Sequence, residues 1–207
     1  ASDVYKRQEM TNPTVSGQSW EGLKKIGILI GLLLTDGYMN DKEYKIVYTG
    51  KSRILHIKFK ETLQELGIKR FTEWKDDKNV RVTQVKNKMI CKLIKKFVGS
   101  VKTKGNNPIE LPKFFWDLPK EYLSEILRYM FSADGCVTLG MRYHKHKRRW
   151  TFVRRIELSS KNDFLKKELQ KLLKTRFNIE AKIWKKGLVI ERKKEILKFS
   201  EKIEFVK

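Results

Sequence analysis

The sequence predicts an α+β protein in which one order of helices and strands is used twice. Two apolar helical runs carry most of that reading. Ile28-Leu29-Ile30-Gly31-Leu32-Leu33-Leu34-Thr35-Asp36-Gly37 and Ile126-Leu127-Arg128-Tyr129-Met130-Phe131-Ser132-Ala133-Asp134-Gly135 each end in one acid and one glycine, and the acids lie 98 positions apart (134 − 36). The stretches after each run repeat the same alternation of strand-like and helix-like periods. Trp74 and Trp184 fall at like places in the two copies.

The elements follow in order. Residues 1–19 are polar, contain Asn12-Pro13 and Gly17, and sustain no period, so they are expected to form a flexible N-terminal tail. The first repeat, 20–106, opens with the apolar run to Gly37. Tyr44 to Thr49 then alternates as a half-buried strand, and Gly50-Lys51-Ser52 breaks it. A helix follows from about Ser52 to Gly67, then strands at Phe71–Trp74 and Val80–Val85 around the turn Lys75–Asn79, and a basic helix at Lys88–Phe97. Residues 107–118 form a linker, because Pro108 and Pro112 deny it a helix or a central strand. The aromatics Phe114, Phe115 and Trp116 beside Pro112 are expected to form a hydrophobic plug under the linker. The second repeat, 119–207, runs from its apolar helix through strands at Gly135–Arg142 and Arg149–Leu158, a helix at Asn162–Phe177, Ile183-Trp184, a Lys186-Gly187 turn, Leu188–Glu191, and a helix at Lys194–Ile203.

Charge selects the partner class. With 47 Lys plus Arg against 24 Asp plus Glu, the formal net charge is +23, which is most readily tolerated beside a polyanion. The longest apolar stretch, Ile26–Leu34, is about half of the roughly twenty residues a spanning helix requires. The N-terminus lacks the apolar core of a secretion signal. Cys91 and Cys136 supply neither a disulfide framework nor a zinc quartet, which fits a reducing intracellular compartment. The two acids are the chemical feature. Each closes an apolar run, where a carboxylate is costly unless a cation or donor compensates it, and matching positions suggest a paired site on a pseudo-twofold axis. Gly27 and Gly31, four apart on one helical face, let another backbone come close.

Helix, two strands, helix, two strands, helix, given twice with Asp-Gly closing each first helix, resembles the LAGLIDADG homing endonuclease family in its monomeric two-motif form. The motif stands as Leu29-Ile30-Gly31-Leu32-Leu33-Leu34-Thr35-Asp36-Gly37 and as Leu127-Arg128-Tyr129-Met130-Phe131-Ser132-Ala133-Asp134-Gly135. The resemblance covers about residues 22–207. It implies two pseudo-symmetric αββαββα repeats, motif helices packed side by side at the centre, and two four-stranded antiparallel sheets forming a DNA-binding saddle. Tyr129 departs from it, standing where the family prefers a small residue and where the first copy has Gly31.

The resemblance also implies a chemistry. Asp36 and Asp134 would hold a divalent ion, Mg²⁺ with Mn²⁺ or Ca²⁺ able to take the same place, together with the main-chain carbonyls of Thr35 and Ala133. Such an ion stabilises charge on the attacking and leaving oxygens of a phosphodiester. Lys51 and Lys161, in the turns Tyr48–Ser52 and Leu158–Asn162, match the lysine that stands beside the scissile phosphate, and Gly50 replaces a side chain that is commonly polar there. The implied activity is an intron-encoded, site-specific endonuclease that makes double-strand breaks at a long site, leaves short 3′ overhangs and assigns one strand to each acid. The alternative on the same scaffold is an intron maturase or a catalytically inactive nucleic-acid-binding regulator. The partner is double-stranded DNA, with no membrane and no obligate protein, and the location is the cytoplasm or an organelle of the host genome. Strand side chains reach base edges in a major groove, so Arg81, Thr83, Arg142, Arg154, Arg155, Lys182, Lys185 and Lys186 are candidates for the DNA face. Lys145, Lys147, Arg148 and Arg149, in the second repeat's longer hairpin, would reach phosphates.

Overall fold

In the computed structural model, residues 17–99, 109–144, 146 and 148–206 are described, so most of the expected N-terminal tail and the candidates Lys145 and Lys147 lie outside them. The first repeat runs α1 (Gly17–Asp36), β1 (Gly37–Asn40), β2 (Lys45–Gly50), α2 (Arg53–Glu65), β3 (Thr72–Lys75), β4 (Arg81–Lys86) and α3 (Lys88–Val98). A single 3₁₀ turn at Lys113–Trp116 leads into the second: α4 (Lys120–Asp134), β5 (Gly135–His144), β6 (Arg149–Ser159), α5 (Asp163–Phe177), β7 (Lys182–Trp184), β8 (Gly187–Ile190) and α6 (Lys193–Lys202). The α+β class and the twofold repeat are as the sequence predicts. Helix α1 takes in Gly17–Ser19 of the expected tail, and β1 adds a strand between the first helix and the Tyr44–Thr49 strand. At four residues, β1 is too short to show a period. No described helix is long and apolar enough to cross a membrane.

Each repeat contributes an antiparallel four-stranded sheet, ordered β1-β2-β4-β3 and β5-β6-β8-β7. The register fixes which side chains share a face, because directly opposite residues project the same way and neighbours alternate. Ile46, Tyr48 and Val85 join the main core, and Tyr48 stacks on Phe59 of α2 at 5.3 Å, so that face of the first sheet is the helix-covered one. Their opposite numbers on the helix-free face form the rows Tyr38–Val47–Gln84–Thr72 and Thr49–Val82–Trp74. In the second sheet Ile156, Leu158, Leu188 and Ile190 face the helices. Thr138, Arg142, Thr151, Arg155, Val189 and Trp184 then lie on the helix-free face.

Helices α1 and α4 pack together at the centre. A Cβ at Gly27 would stand 2.3 Å from Ile126 Cδ1 with Phe115 behind it, and one at Gly31 would stand 2.8 Å from Met130 Cγ. Only glycine lets α4 seat Ile126 and Met130 this deeply. Phe115 is fully buried, which makes the aromatic segment of the linker a plug against this contact. The contact is asymmetric. Tyr129 is not the residue that fills the glycine notch: it is half-buried, and its ring receives Lys58 Nζ of α2 at 5.3 Å. Glu125 of α4 completes the junction by pairing with Lys24 of α1 (3.4 Å) and Lys58 (3.6 Å).

Candidate active site

The glycines after the two acids are required by space rather than by a left-handed backbone. Each motif helix turns straight into a strand, and a Cβ at Gly37 would lie 2.7 Å from Leu33 Cα, one at Gly135 2.1 Å from Phe131 O. The reversal leaves each acid at the last helical position, where the central helix pair meets the first strands of the two sheets. Asp36 and Asp134 come together there, with their carboxyls in hydrogen-bonding reach of each other. Burial, and then the facing Asp134 charge, push Asp36 up from 3.8 to about 7. Burial raises Asp134 as well. Among the described residues neither carboxylate has a Lys or Arg ion-pair partner, so the pair holds negative charge that calls for a proton or a cation.

The surroundings keep the acids oriented. Thr49 Oγ1 on β2 donates to the Asp36 carbonyl at 2.8 Å, tying the motif helix to the strand that leads toward Lys51. The Thr35 hydroxyl turns back into its own helix and donates to Gly31 O (3.1 Å) and Leu32 O (2.9 Å). Asp36, Tyr48, Thr49, Gly50, Lys51 and Ala133 line one cleft of about 400 Å³, so the first repeat's candidate lysine shares a wall with its acid and with the second repeat's Ala133. Lys161 is exposed in the corresponding β6–α5 turn, and Ser160 N–H in that turn donates to Lys186 O at 3.0 Å.

Two residues of this site were not singled out from the sequence. Tyr48 is almost fully buried, and burial followed by the charges of Asp36 and Asp134 raises its phenol, so it stays a neutral donor beside the acids. His56, on α2, is 1% exposed and bonded on both nitrogens, to Thr83 Oγ1 at 2.7 Å and to Gly50 O at 3.1 Å. Burial lowers its pKa, keeping the ring neutral near pH 7. A position at Gly50 Cβ would be 3.5 Å from the Tyr48 hydroxyl and 3.8 Å from both Asp36 Oδ2 and His56 Nε2. The three polar tips therefore converge on the residue before Lys51. The available signal was a lone histidine four positions after the Ser52 cap. In the second repeat the matching position is Lys166, four after the Asn162 cap, also 1% exposed and holding Trp184 O (3.0 Å) and Lys185 O (3.3 Å).

The expected DNA-facing residues divide by the pleat. Thr83 and Arg81 both project to the helix side of the first sheet: Thr83 is a correction, being fully buried between His56 and Glu73 (3.1 Å) and so withdrawn from any DNA surface, while Arg81 lines a cavity with Arg53, His56 and Glu73. Arg154 is likewise on the helix-side face of the second sheet, opposite Leu139. Arg142, Arg155 and Lys182 lie on the helix-free face, and Lys185 and Lys186 are exposed in the β7–β8 turn. Arg155 packs its guanidinium on Trp184 at 5.1 Å and pairs with Glu157 at 3.3 Å, while its buried Nε has no partner among the described residues. Lys182 is paired with Glu191 at 2.9 Å. Arg148 and Arg149 sit at the hairpin end, Arg148 with a positive φ of 44°.

Comparison with known proteins finds a family resemblance in the second repeat and a shared fold across both. A family model described as a LAGLIDADG-like domain matches residues 121–204. A comparison with curated proteins by sequence finds no match. Among solved structures, full-length DUF199/WhiA from Thermatoga maritima is similar over 90% of this chain at 19% identity and a TM-score of 0.59, and this chain spans 57% of its length. The homing endonuclease I-WcaI bound to its DNA recognition sequence is similar over 94% of this chain and 90% of its own, at 16% identity and a TM-score of 0.55. I-DmoI in complex with DNA and Mn is similar over 88% of this chain and 97% of its own, at 15% identity and a TM-score of 0.59. At these identities the structures show a shared fold. Residues 121–204, the second repeat, thus match a LAGLIDADG-like domain, and the two repeats together share the fold of these solved structures.

Proposed function

We propose that the protein is a site-specific endonuclease that cuts both strands of duplex DNA with a divalent metal, Asp36 and Asp134 being the carboxylate ligands. The observation that carries the reading is the acid pair itself: two half-buried carboxyls, brought together from two helices, with no Lys or Arg ion-pair partner among the described residues. A helix-capping Asp-Gly would leave each acid pointing to solvent by itself. Among the described residues no cluster of three or more His, Cys, Asp or Glu side chains occurs. A metal here would rest on these two carboxylates, with the Thr35 and Ala133 carbonyls and substrate oxygens as further ligands, a hard oxygen set suited to Mg²⁺ or Mn²⁺. When bound, it would offset charge on the attacking and leaving oxygens of the phosphodiester. The similar structure of I-DmoI with DNA and Mn supports the assignment.

The chain's own groups supply the rest. Lys51 in the acid cleft and Lys161 in the matching turn would each offset charge at a scissile phosphate or order the attacking water. Tyr48 keeps its proton and excludes bulk water from behind Asp36. The helix-free faces carry the DNA contact, with Arg142, Arg155, Lys182, Lys185 and Lys186 toward phosphates or base edges and Gln84, Thr72, Thr138 and Thr151 as neutral readers. An enzyme of this kind acts as a monomer inside the compartment that holds its target genome. The test is deep sequencing of a randomised duplex pool after incubation with the protein and Mg²⁺, beside Asp36→Asn, Asp134→Asn and chelator controls. A defined cut site that disappears in all three controls is expected; cleavage that survives chelation would remove the metal mechanism.

A further inference from the structure

The second repeat's hairpin carries an apolar surface that duplex binding leaves unexplained. Strands β5 and β6 pair continuously from Gly135↔Leu158 to His144↔Arg149, so the hairpin extends well beyond the four positions at which β6 also pairs with β8. On its helix-side face, Val137 (60% exposed), Leu139 (72%), Met141 (59%), Tyr143 (44%), Trp150 (63%) and Phe152 (52%) stand in adjoining rows. Six large apolar side chains this exposed on one sheet face form a patch of the kind that marks an interaction site. The face is the reverse of the one assigned to DNA above, so the proposed duplex contact does not cover it.

We propose that this face is a binding platform for unpaired bases of single-stranded RNA. Tyr143 and Trp150 are directly opposite, with ring centroids 5.4 Å apart, and Phe152 stands one row further along. Successive rows on a strand face are about 7 Å apart, close to the spacing at which an extended strand presents successive bases to aromatic rings. Charge completes the match. Arg154 lies on the platform itself beside Leu139, and residues 135–156, which take in β5 and β6 as far as Ile156, contain no Asp or Glu. An acid-free, aromatic sheet face is complementary to a polyanion whose bases are free to stack, and repels a second copy of a chain carrying +23. RNA is the favoured source because its loops and bulges present splayed bases, whereas duplex DNA keeps its bases stacked.

The experiment uses the intact protein and an unstructured uridine-rich RNA 12-mer, its DNA counterpart, a random duplex, and vesicles containing anionic lipid. The RNA should bind in the presence of saturating duplex, and ultraviolet cross-linking should map it to Tyr143 or Trp150. Trp150→Ala and Phe152→Ala should each weaken RNA binding about tenfold, with Trp150→Phe retaining most of it. Duplex affinity and melting temperature should stay at wild-type values, since both side chains are exposed. RNA binding unchanged in the double alanine variant, or displaced one for one by duplex, would overturn the platform. Equal binding of the DNA 12-mer would overturn the RNA assignment, and vesicle binding lost in the same variants without RNA binding would replace it with a membrane surface. Because none of these readouts involves cleavage, the platform stands or falls separately from the nuclease reading.

Discussion

At the scale of the residue, the acid pair couples folding to pH and to metal. Asp36 has a folded value of about 7 against 3.8 for the free side chain, so the folded state binds its proton more tightly than the unfolded one. That contribution to stability is full below about pH 3.8 and is lost as pH rises through about 7. The difference in melting temperature, Asp36→Asn minus wild type in chelator, should therefore grow in favour of the variant between pH 4 and pH 8. Mg²⁺ should shrink it by raising the wild type alone; a difference that ignores both pH and Mg²⁺ would mean the carboxyls do not meet. His56 has the opposite sign. Its folded pKa lies below 6.5, so its contribution is present above pH 6.5 and disappears as pH falls through the folded value. Replacing it with Ala removes packing against Tyr48 and strands Gly50 O and Thr83, at a cost of about 2 to 4 kcal/mol in urea unfolding near pH 7.5. A loss under about 1 kcal/mol would show that the two bonds are not made.

At the scale of the element, the α1–α4 contact makes two chemically identical substitutions unequal. Alanine gains about 0.8 to 1 kcal/mol over glycine from helix propensity alone. At Gly31 the new methyl meets Met130 Cγ at 2.8 Å, a smaller overlap against an unbranched side chain, so Gly31→Ala should lose less than Gly27→Ala, about 1 kcal/mol or under. At Gly27 it meets β-branched Ile126 at 2.3 Å with Phe115 close behind, and Gly27→Ala should lose about 1 to 2 kcal/mol net. Equal effects on urea midpoints would mean that the helices sit further apart. The elements themselves were legible in the sequence wherever a period had room to show, as in α4 or the ten-residue β5. Sheet faces were not. In β2 and β4 the neighbours Ile46, Val47 and Tyr48, and Val82 and Thr83, are all buried, so alternation does not say which set meets the helices, and only the register turns Arg81 and Thr83 to the helix side. Tyr48 and His56 join the acids only through the β2–α2 turn, a tertiary fact that no spacing encodes.

At the scale of the whole molecule, the charge of +23 sets how DNA affinity responds to salt, and the pleat sets which charges count. Neutralising Z phosphates makes log K fall with log salt at about −0.9Z, and a two-sheet surface over a long site should make on the order of 6 to 10 such contacts. Arg142 lies on the helix-free face, and Lys185 and Lys186 project from the β7–β8 turn beside it, all three exposed and none in an ion pair among the described residues. Changing the three to Ala should make the slope shallower by up to about 3 and weaken cognate and random duplexes alike. Arg154→Ala is the internal control, for it has the same charge on the same strand but projects to the opposite face. It should leave the duplex slope within about 0.3 of wild type. If Arg154 moved the slope as much as Arg142, the duplex would be lying on the helix side of the hairpin, and the face assignment drawn from the register would fail.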